Sequence, residues 1–312
     1  MKKTLLFVTL LLLAGSPLWG ENYTLKGNMD AAIRYELQEQ IRTDGGIKKL
    51  VLSFVIPQSF TSPTYSQKIE DFRADFSPEP QDRSESRDKR GNLVLTATWY
   101  TVPAAVNVRL SCRADSKTHL TTLETRAPFP LQNPGPEFTD YLAATEQVQA
   151  DDPRIRKLAA ELTKGVTTEY DAVQRIVSWV VDNVRYVTPP VRYDALYSLE
   201  SGKGNCQNYS HLSAALLRSV GIPTRIVVGV TLNQPYDISW KQGVLTFKMG
   251  QGRHSWIEAW FPDLGWVPFD PQNSVLFVSN RFIRIETGRD NNEAKNDGLM
   301  RWSQAPGARS PP

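Results

Sequence analysis

Over the first third of the chain, apolar and polar positions alternate with a period of two, the mark of strands that bury one face. Ala31, Ile33, Tyr35, Leu37 and Ile41 form one such run, and Leu50, Leu52, Phe54 and Ile56 form the next. Asp44-Gly45-Gly46 between them supplies the positive φ of a tight turn, so the two runs predict a hairpin. A second hairpin is predicted to join Ile69–Phe76 to Leu93–Tyr100, with the polar stretch QDRSESRDKRGN as its solvated tip. Val106, Val108, Leu110, Cys112 and Ala114 then share one face of a further strand. Strands without a helix over residues 21–126 predict a β-sandwich.

Residues 127–138, APFPLQNPGPEF, hold four prolines and a glycine and read as a linker. Beyond them the period changes to 3.6. Asp152-Pro153 opens a helix with Ile155, Leu158, Ala159 and Leu162 on one face; Thr168 and Asp171 resemble a capping box for a second, with Val173, Ile176, Val177 and Val180 inward. The stretch GKGNCQNYSHLSAALLRSVGIPTR, residues 202–225, predicts a helix that starts at Cys206 and stops at Gly221 and Pro223. RIVVGV follows as a buried strand, and RHSWIEAWFPDLGWVPFDP predicts two strands about Asp263-Leu264-Gly265. Mixed helices and strands make residues 139–287 an α+β domain, and the Asn-, Gly- and charge-rich residues 288–312 predict disorder.

Composition narrows the partners. A net charge of +3, part of it from Lys2 and Lys3, gives no basic field of the kind that captures nucleic acid, so no nucleic-acid partner is expected. Those lysines precede an apolar run from Leu5 to Ala14 that is about half the ~20 residues of a spanning helix. Residues 1–20 therefore read as a cleaved signal peptide, which predicts an exported protein, periplasmic or secreted, with no membrane span after removal.

Two cysteines in an exported chain can form a disulfide, so each needs a context. Cys112 lies in the apolar register of its strand, where a thiol packs as a small hydrophobe. Cys206 sits at a helix start, where unpaired amides and the positive end of the helix dipole favour the thiolate. Gly202 and Gly204 before it leave room for backbone and substrate to approach. A thiolate nucleophile needs a proton carrier, and the chain has three histidines. His119 is in the strand-rich domain. His211 is five residues from Cys206, about 140° around the helix, and points elsewhere. His254 remains. Asp270 shares a face with His254 if the intervening loop has an odd number of residues or a bulge, and Glu258 and Asp263 stand as rivals for the carboxylate role. A metal site at Cys206, His254 and Asp270 lacks paired-ligand spacing. Trp256, Trp260 and Trp266 read as core or cleft wall rather than substrate platforms.

At this point GNCQNYSHLSAALLRSVGIPTRIVVGV with RHSWIEAWFPDLGWVPFDP resembles the transglutaminase-like superfamily, over about residues 150–290. The resemblance implies a papain-like α+β catalytic domain with Cys206, His254 and Asp270 as its triad. It also implies an oxyanion site made by the Cys206 amide and an upstream side chain, for which Tyr186 is the candidate. Asn208 departs from the acidic residue that many bacterial members carry there, with packing or pocket polarity as its expected effect. The expected activity is thiol-dependent acyl chemistry on a peptide or protein amide through a thioester. Hydrolysis is favoured over crosslinking and no cofactor is expected; the alternative is an inactive envelope-binding module.

Overall fold

Strands occupy the first part of the computed structural model and helices enter only after residue 135. The structure describes residues 27–43, 46–232, 236–240, 243–247, 252–272, 278–294 and 299–304; the expected leader lies outside them. The strands of the first part are β1 (Gly27–Arg42), β2 (Ile47–Ile56), β3 (Phe60–Thr61), β4 (Tyr65–Ser77), β5 (Asp82–Arg87), β6 (Leu93–Trp99) and β7 (Ala105–Leu120). There follow α1 (Thr139–Leu142), α2 (Pro153–Leu162), α3 (Glu169–Asn183), β8 (Arg185–Tyr186), α4 (Ala195–Ser201), β9 (Lys203–Gly204) and α5 (Cys206–Ser219). The chain ends in β10 (Thr224–Thr231), β11 (Tyr236–Trp240), β12 (Gly243–Phe247), β13 (Gly252–Phe261), β14 (Gly265–Phe269), β15 (Phe282–Gly288) and β16 (Leu299–Gln304). Among the described residues no helix is long and apolar enough to cross a membrane.

The first domain is a sandwich of two sheets, ordered β1-β7-β4-β3 and β16-β2-β6-β5. Leu52, Phe54 and Trp99 of one sheet meet Phe76, Val108 and Leu110 of the other in a single core. The pairings differ from the predicted hairpins. β1 pairs with β7 along its whole length and β2 pairs with β6, so β1 and β2 lie in different sheets; Asp44 and Gly45 of the expected turn lie outside the described residues. Likewise β4 belongs to the first sheet, and the polar stretch after it contains β5, an edge strand on β6. Alternation fixes which face a residue occupies but not which strand lies beside it.

Two further expectations are corrected. Residues 288–312 are not a disordered tail throughout, because β16 adds to β2 of the sandwich. Residues 127–138 are not a free linker. Ala127 lies in the core of the second domain, Phe129 donates its amide to Thr167 O, and the Phe138 ring stacks on Trp260 at 4.1 Å.

The second domain lays α5 against an antiparallel sheet ordered β14-β13-β10-β15. Residues 208–218 of α5 are all buried, as expected of a helix with neighbours on every side. β15 is the edge of this sheet, and the sandwich closes it with side chains. Gln67 donates Nε2 to Arg284 O (2.9 Å) and accepts Arg284 N at Oε1 (2.8 Å). Asn92 does the same to Thr287, at 2.8 and 2.9 Å. A primary amide presents the donor and acceptor of a peptide group, so each stands in for a residue of the missing strand. Arg90, at the supposedly solvated tip, has only 5% of its side chain exposed; it reaches Asp140 at 2.7 Å and Glu293 at 2.9 Å.

Glu258, fully buried on β13, lies between Arg225 of β10 (2.6 Å) and Arg284 of β15 (2.7 Å). Burial alone raises its carboxyl pKa, and the two guanidinium groups more than offset that, so it lies below the ordinary value of 4.5. A depressed folded pKa means that its stabilisation is present above about pH 4.5 and lost as pH falls through the folded value. Glu258→Gln leaves two facing buried cations and is expected to cost about 3–5 kcal/mol at pH 7. Denaturant unfolding should show the gap to wild type narrowing below pH 4.5; a gap that is constant with pH refutes the ion-pair account.

Candidate active site

The site forms between the start of α5 and the face of β13 that carries His254. Asn205 precedes the helix and its Oδ1 accepts the Gln207 amide (3.1 Å), while Asn208 Oδ1 accepts the Asn205 amide (3.1 Å). This reciprocal cap makes Cys206 the first helical residue without engaging its amide. The role expected of Gly204 changes here: a Cβ on it would lie 2.2 Å from Asn208 Cβ, so the glycine makes room for Asn208 rather than for a substrate. Gly202 ends α4 in the left-handed region, with φ 62°. Asn208 is buried and donates Nδ2 to Arg192 O (3.0 Å) and Asp194 O (3.3 Å). An ionised carboxylate has no proton to give these carbonyls, which accounts for an amide where an acid was the expected residue type.

β13 and β14 pair with Phe261 opposite Gly265 and Ile257 opposite Phe269, around the three-residue loop Pro262, Asp263 and Leu264. The loop is odd, and Gly265 takes the left-handed φ of 73°. Continuing the register by one pair sets Asp270 across from Trp256, two residues from His254 on the same face. His254 Nε2 donates to Asp270 Oδ2 at 2.9 Å, and Asp270 Oδ1 accepts the Gln272 amide at 3.0 Å. Both side chains are buried. Asp270 engages Nε2, and the Cys206 thiol lines the same cleft, near enough to the imidazole to raise its pKa. Burial alone lowers the imidazole pKa, but the Asp270 charge and hydrogen bond, with the bond and charge of Cys206, raise it above its ordinary 6.5 to about 10.

The rival carboxylates are occupied elsewhere: Glu258 by its two arginines, and Asp263 by Thr125 Oγ1 (2.8 Å) and the Arg126 amide (2.8 Å). His211 is away from the thiol, as the helical angle predicts. It is a buried neutral imidazole, donating Nδ1–H to Tyr193 O (2.6 Å) and accepting the Asn291 amide at Nε2 (3.2 Å), and burial pushes its pKa down to about 4. Cys112 is a free thiol in the sandwich and Cys206 a free thiol in the cleft, so no disulfide joins them. Burial pushes Cys112 up to about 11, consistent with a packing role.

A cleft of about 400 Å³ opens over Cys206 and His254, walled by Tyr186, Thr188, Gln207, Arg253 and Asn291. Tyr186 is 47% exposed, and its strand is held beside the cysteine by Val187 N donating to Gly204 O at 2.9 Å. Burial and the neighbouring Cys206 raise its phenol pKa, so the hydroxyl keeps its proton. Asn291 escaped the sequence reading because it follows β15 in a segment whose composition suggested disorder; its side chain accepts from Ser255 Oγ at 3.3 Å. Trp256 is buried behind His254, while Trp260 and Trp266 pack on Phe138, so the tryptophans are core and support.

Comparison with known proteins bears on the fold of the second domain and of the whole chain. Residues 156–271 match the family described as the transglutaminase-like superfamily. The uncharacterized protein YebA of Bacillus subtilis is 33% identical over 139 residues, which is 41% of this chain and 19% of that protein. A protein-glutamine gamma-glutamyltransferase of Pseudomonas aeruginosa is 30% identical over 79 residues, 25% of this chain and 11% of that protein. The matches thus span under a fifth of the length of these two relatives. A solved structure from Cytophaga hutchinsonii, provisionally assigned as a cysteine protease, shares the fold with a TM-score of 0.59 and 19% identity, covering 91% of this chain and 95% of that one. The protein therefore joins a β-sandwich to a transglutaminase-like domain, in which residues 156–271 match the model of that superfamily.

Proposed function

We propose that this is an exported thiol enzyme that transfers the acyl group of a peptide or protein amide to water, with Cys206 as nucleophile, His254 as proton carrier and Asp270 as the group that orients it. The observation that carries the proposal is the pairing of a thiol at a helix N-terminus with a buried imidazole that is itself held at 2.9 Å by a buried carboxylate. An imidazole with a pKa of about 10 is an imidazolium at neutral pH, which favours the thiolate beside it. The thiolate sulfur attacks the carbonyl carbon, and the electron pair moves to oxygen. As the C–N bond breaks, Nδ1–H of His254 protonates the leaving nitrogen, giving an amine and a Cys206 thioester. His254, now neutral, takes a proton from water as it attacks the thioester, and the acid and thiolate are released. The Cys206 amide and the Tyr186 hydroxyl are the donors assigned to the oxyanion.

Water is the favoured acceptor because the cleft walls are mostly polar and stay hydrated, whereas an amine must be bound in place. The similarity to a gamma-glutamyltransferase supports amine transfer as the second reading. Incubating the protein with a glutamine peptide and a primary amine, followed by mass spectrometry, separates the two: deamidated or cleaved peptide supports hydrolysis, and an amine adduct supports transfer. Cys206→Ala is expected to abolish either product, and full activity in that variant refutes the mechanism. Asp270→Asn is expected to lower kcat by about 10²–10⁴-fold.

The pH dependence follows from the raised imidazole. Activity should persist through neutral pH and decline on an alkaline limb near pH 10, as the imidazolium loses its proton. A folded pKa above the unfolded value contributes stability that is complete below about pH 6.5 and is lost as pH rises through about 10. His254→Gln should therefore be destabilised relative to wild type at pH 6 and by less at pH 10, measured by denaturant unfolding. An equal deficit at both pH values refutes the charged pair.

A further inference from the structure

The Asp270 hydrogen bond pins one ring nitrogen and does not by itself stop the His254 ring from swinging through small changes in χ1 and χ2. A swing of that kind carries Nδ1 away from Cys206. What stops it is a cluster behind the ring to which both domains contribute. The Phe282 ring meets the imidazole at 4.9 Å and 78°, and Trp256 backs both rings, 5.3 Å from Phe282. Tyr65 of the sandwich, 1% exposed, belongs to the same cluster. Its hydroxyl proton lies between Phe282 O (2.9 Å) and Gln67 Oε1 (3.1 Å), and Gln67 is itself fixed by Arg284. The sandwich therefore holds Phe282 by its backbone and through the packing around its ring.

We propose that Tyr65 is a positioning residue for His254: by fixing Phe282 it keeps the imidazole plane aimed at Cys206, so that the reactivity of the thiol depends on the docked β-sandwich. Reacting groups a fraction of an ångström out of place lose much of their advantage, and rigid packing of their supports is what prevents this. The inference rests on Cys206 and His254 acting as the pair described above. It adds that part of the support for that pair comes from a domain outside residues 156–271.

The test is the rate of Cys206 alkylation by iodoacetamide across pH 4–10, read at Cys206 by peptide mass spectrometry in the full folded chain. This reports the thiolate without any substrate. Wild type is expected to react at pH 5 far faster than a model thiol. Tyr65→Ala is expected to react about tenfold more slowly than wild type at pH 5 and to match it at pH 9. Tyr65→Phe, which keeps the ring and therefore the fold, is expected to react about threefold more slowly at pH 5. Leu95→Ala, in the sandwich core and away from the second domain, is expected to lower the melting temperature and leave the pH profile unchanged. Wild-type profiles for both Tyr65 variants overturn the positioning role alone, as does a Leu95→Ala profile displaced like theirs. A wild-type protein that alkylates like an ordinary thiol overturns the Cys206–His254 pair and this inference with it.

Discussion

The parity of one β-turn governs the rest of the site. With three residues between β13 and β14, Asp270 emerges on the face that carries His254; with two, the carboxylate would turn toward the face that packs on α5. That face is apolar, lined by Ile257, Ala259, Val267 and Phe269, and an unpaired carboxylate there would carry a large desolvation penalty. Hydrophobic burial therefore enforces the same register that the His254–Asp270 bond needs. The second half of the site is set independently by the Asn205 cap, which decides that Cys206 and not a neighbour is the first residue of α5. Neither device brings the thiol and imidazole together alone; the packing of α5 across β13 and β10 does.

The edge strand β15 explains why the sandwich is integral. A sheet edge exposes alternate peptide groups, and other proteins blunt it with charge, proline or a covering element. Here Gln67 and Asn92 complete the ladder as single side chains, and Tyr65 and Thr118 satisfy Phe282 O and Val278 O. Because β15 sets Phe282 against the His254 ring and continues into the segment that walls the cleft, these bonds hold the geometry of the cleft as well as a domain interface. Arg90 extends the contact by clamping Glu293, two residues beyond Asn291.

Spacing left Asp270 level with Glu258 and Asp263, and only the family resemblance singled it out. The strand faces, the helix start at Cys206 and the choice of His254 were legible because each rests on a local signal: a period, a cap or the scarcity of a residue type. Strand partners were not, since β1 and β2 have the pattern of a hairpin whether they pair with each other or with β7 and β6. Asn92 and Arg90 were read as part of a solvated tip because polar residues in a turn usually are, and Gln67 drew no reading; nothing near them in sequence signals their partners more than 190 residues away. The same holds for Tyr65. The segment after β15 looked disordered by composition, yet His211, Arg218 and Arg90 order it through its backbone and through Glu293.

α5 ties these contacts together electrostatically. At its first residue the helix dipole favours a thiolate, and in its last turn Arg218 supplies a cation to the opposite end. The Arg218 guanidinium is buried and spends its donors on Thr224 O (2.9 Å), Ala143 O (3.0 Å) and Arg289 O (2.5 Å). Burial pulls its pKa down to about 9, with Asp290 opposing that shift. Arg289 begins the segment that carries Asn291, and His211, halfway along the same helix, takes the Asn291 amide. One helix thus carries Cys206 at its N-terminus and, from its middle and its C-terminus, fixes a wall of the cleft that Cys206 lines. The spacing between thiol and wall is therefore set in part by bonds that α5 itself makes, whereas the spacing between thiol and imidazole depends on how α5 packs against the sheet. The second spacing is the one that the sandwich braces from behind.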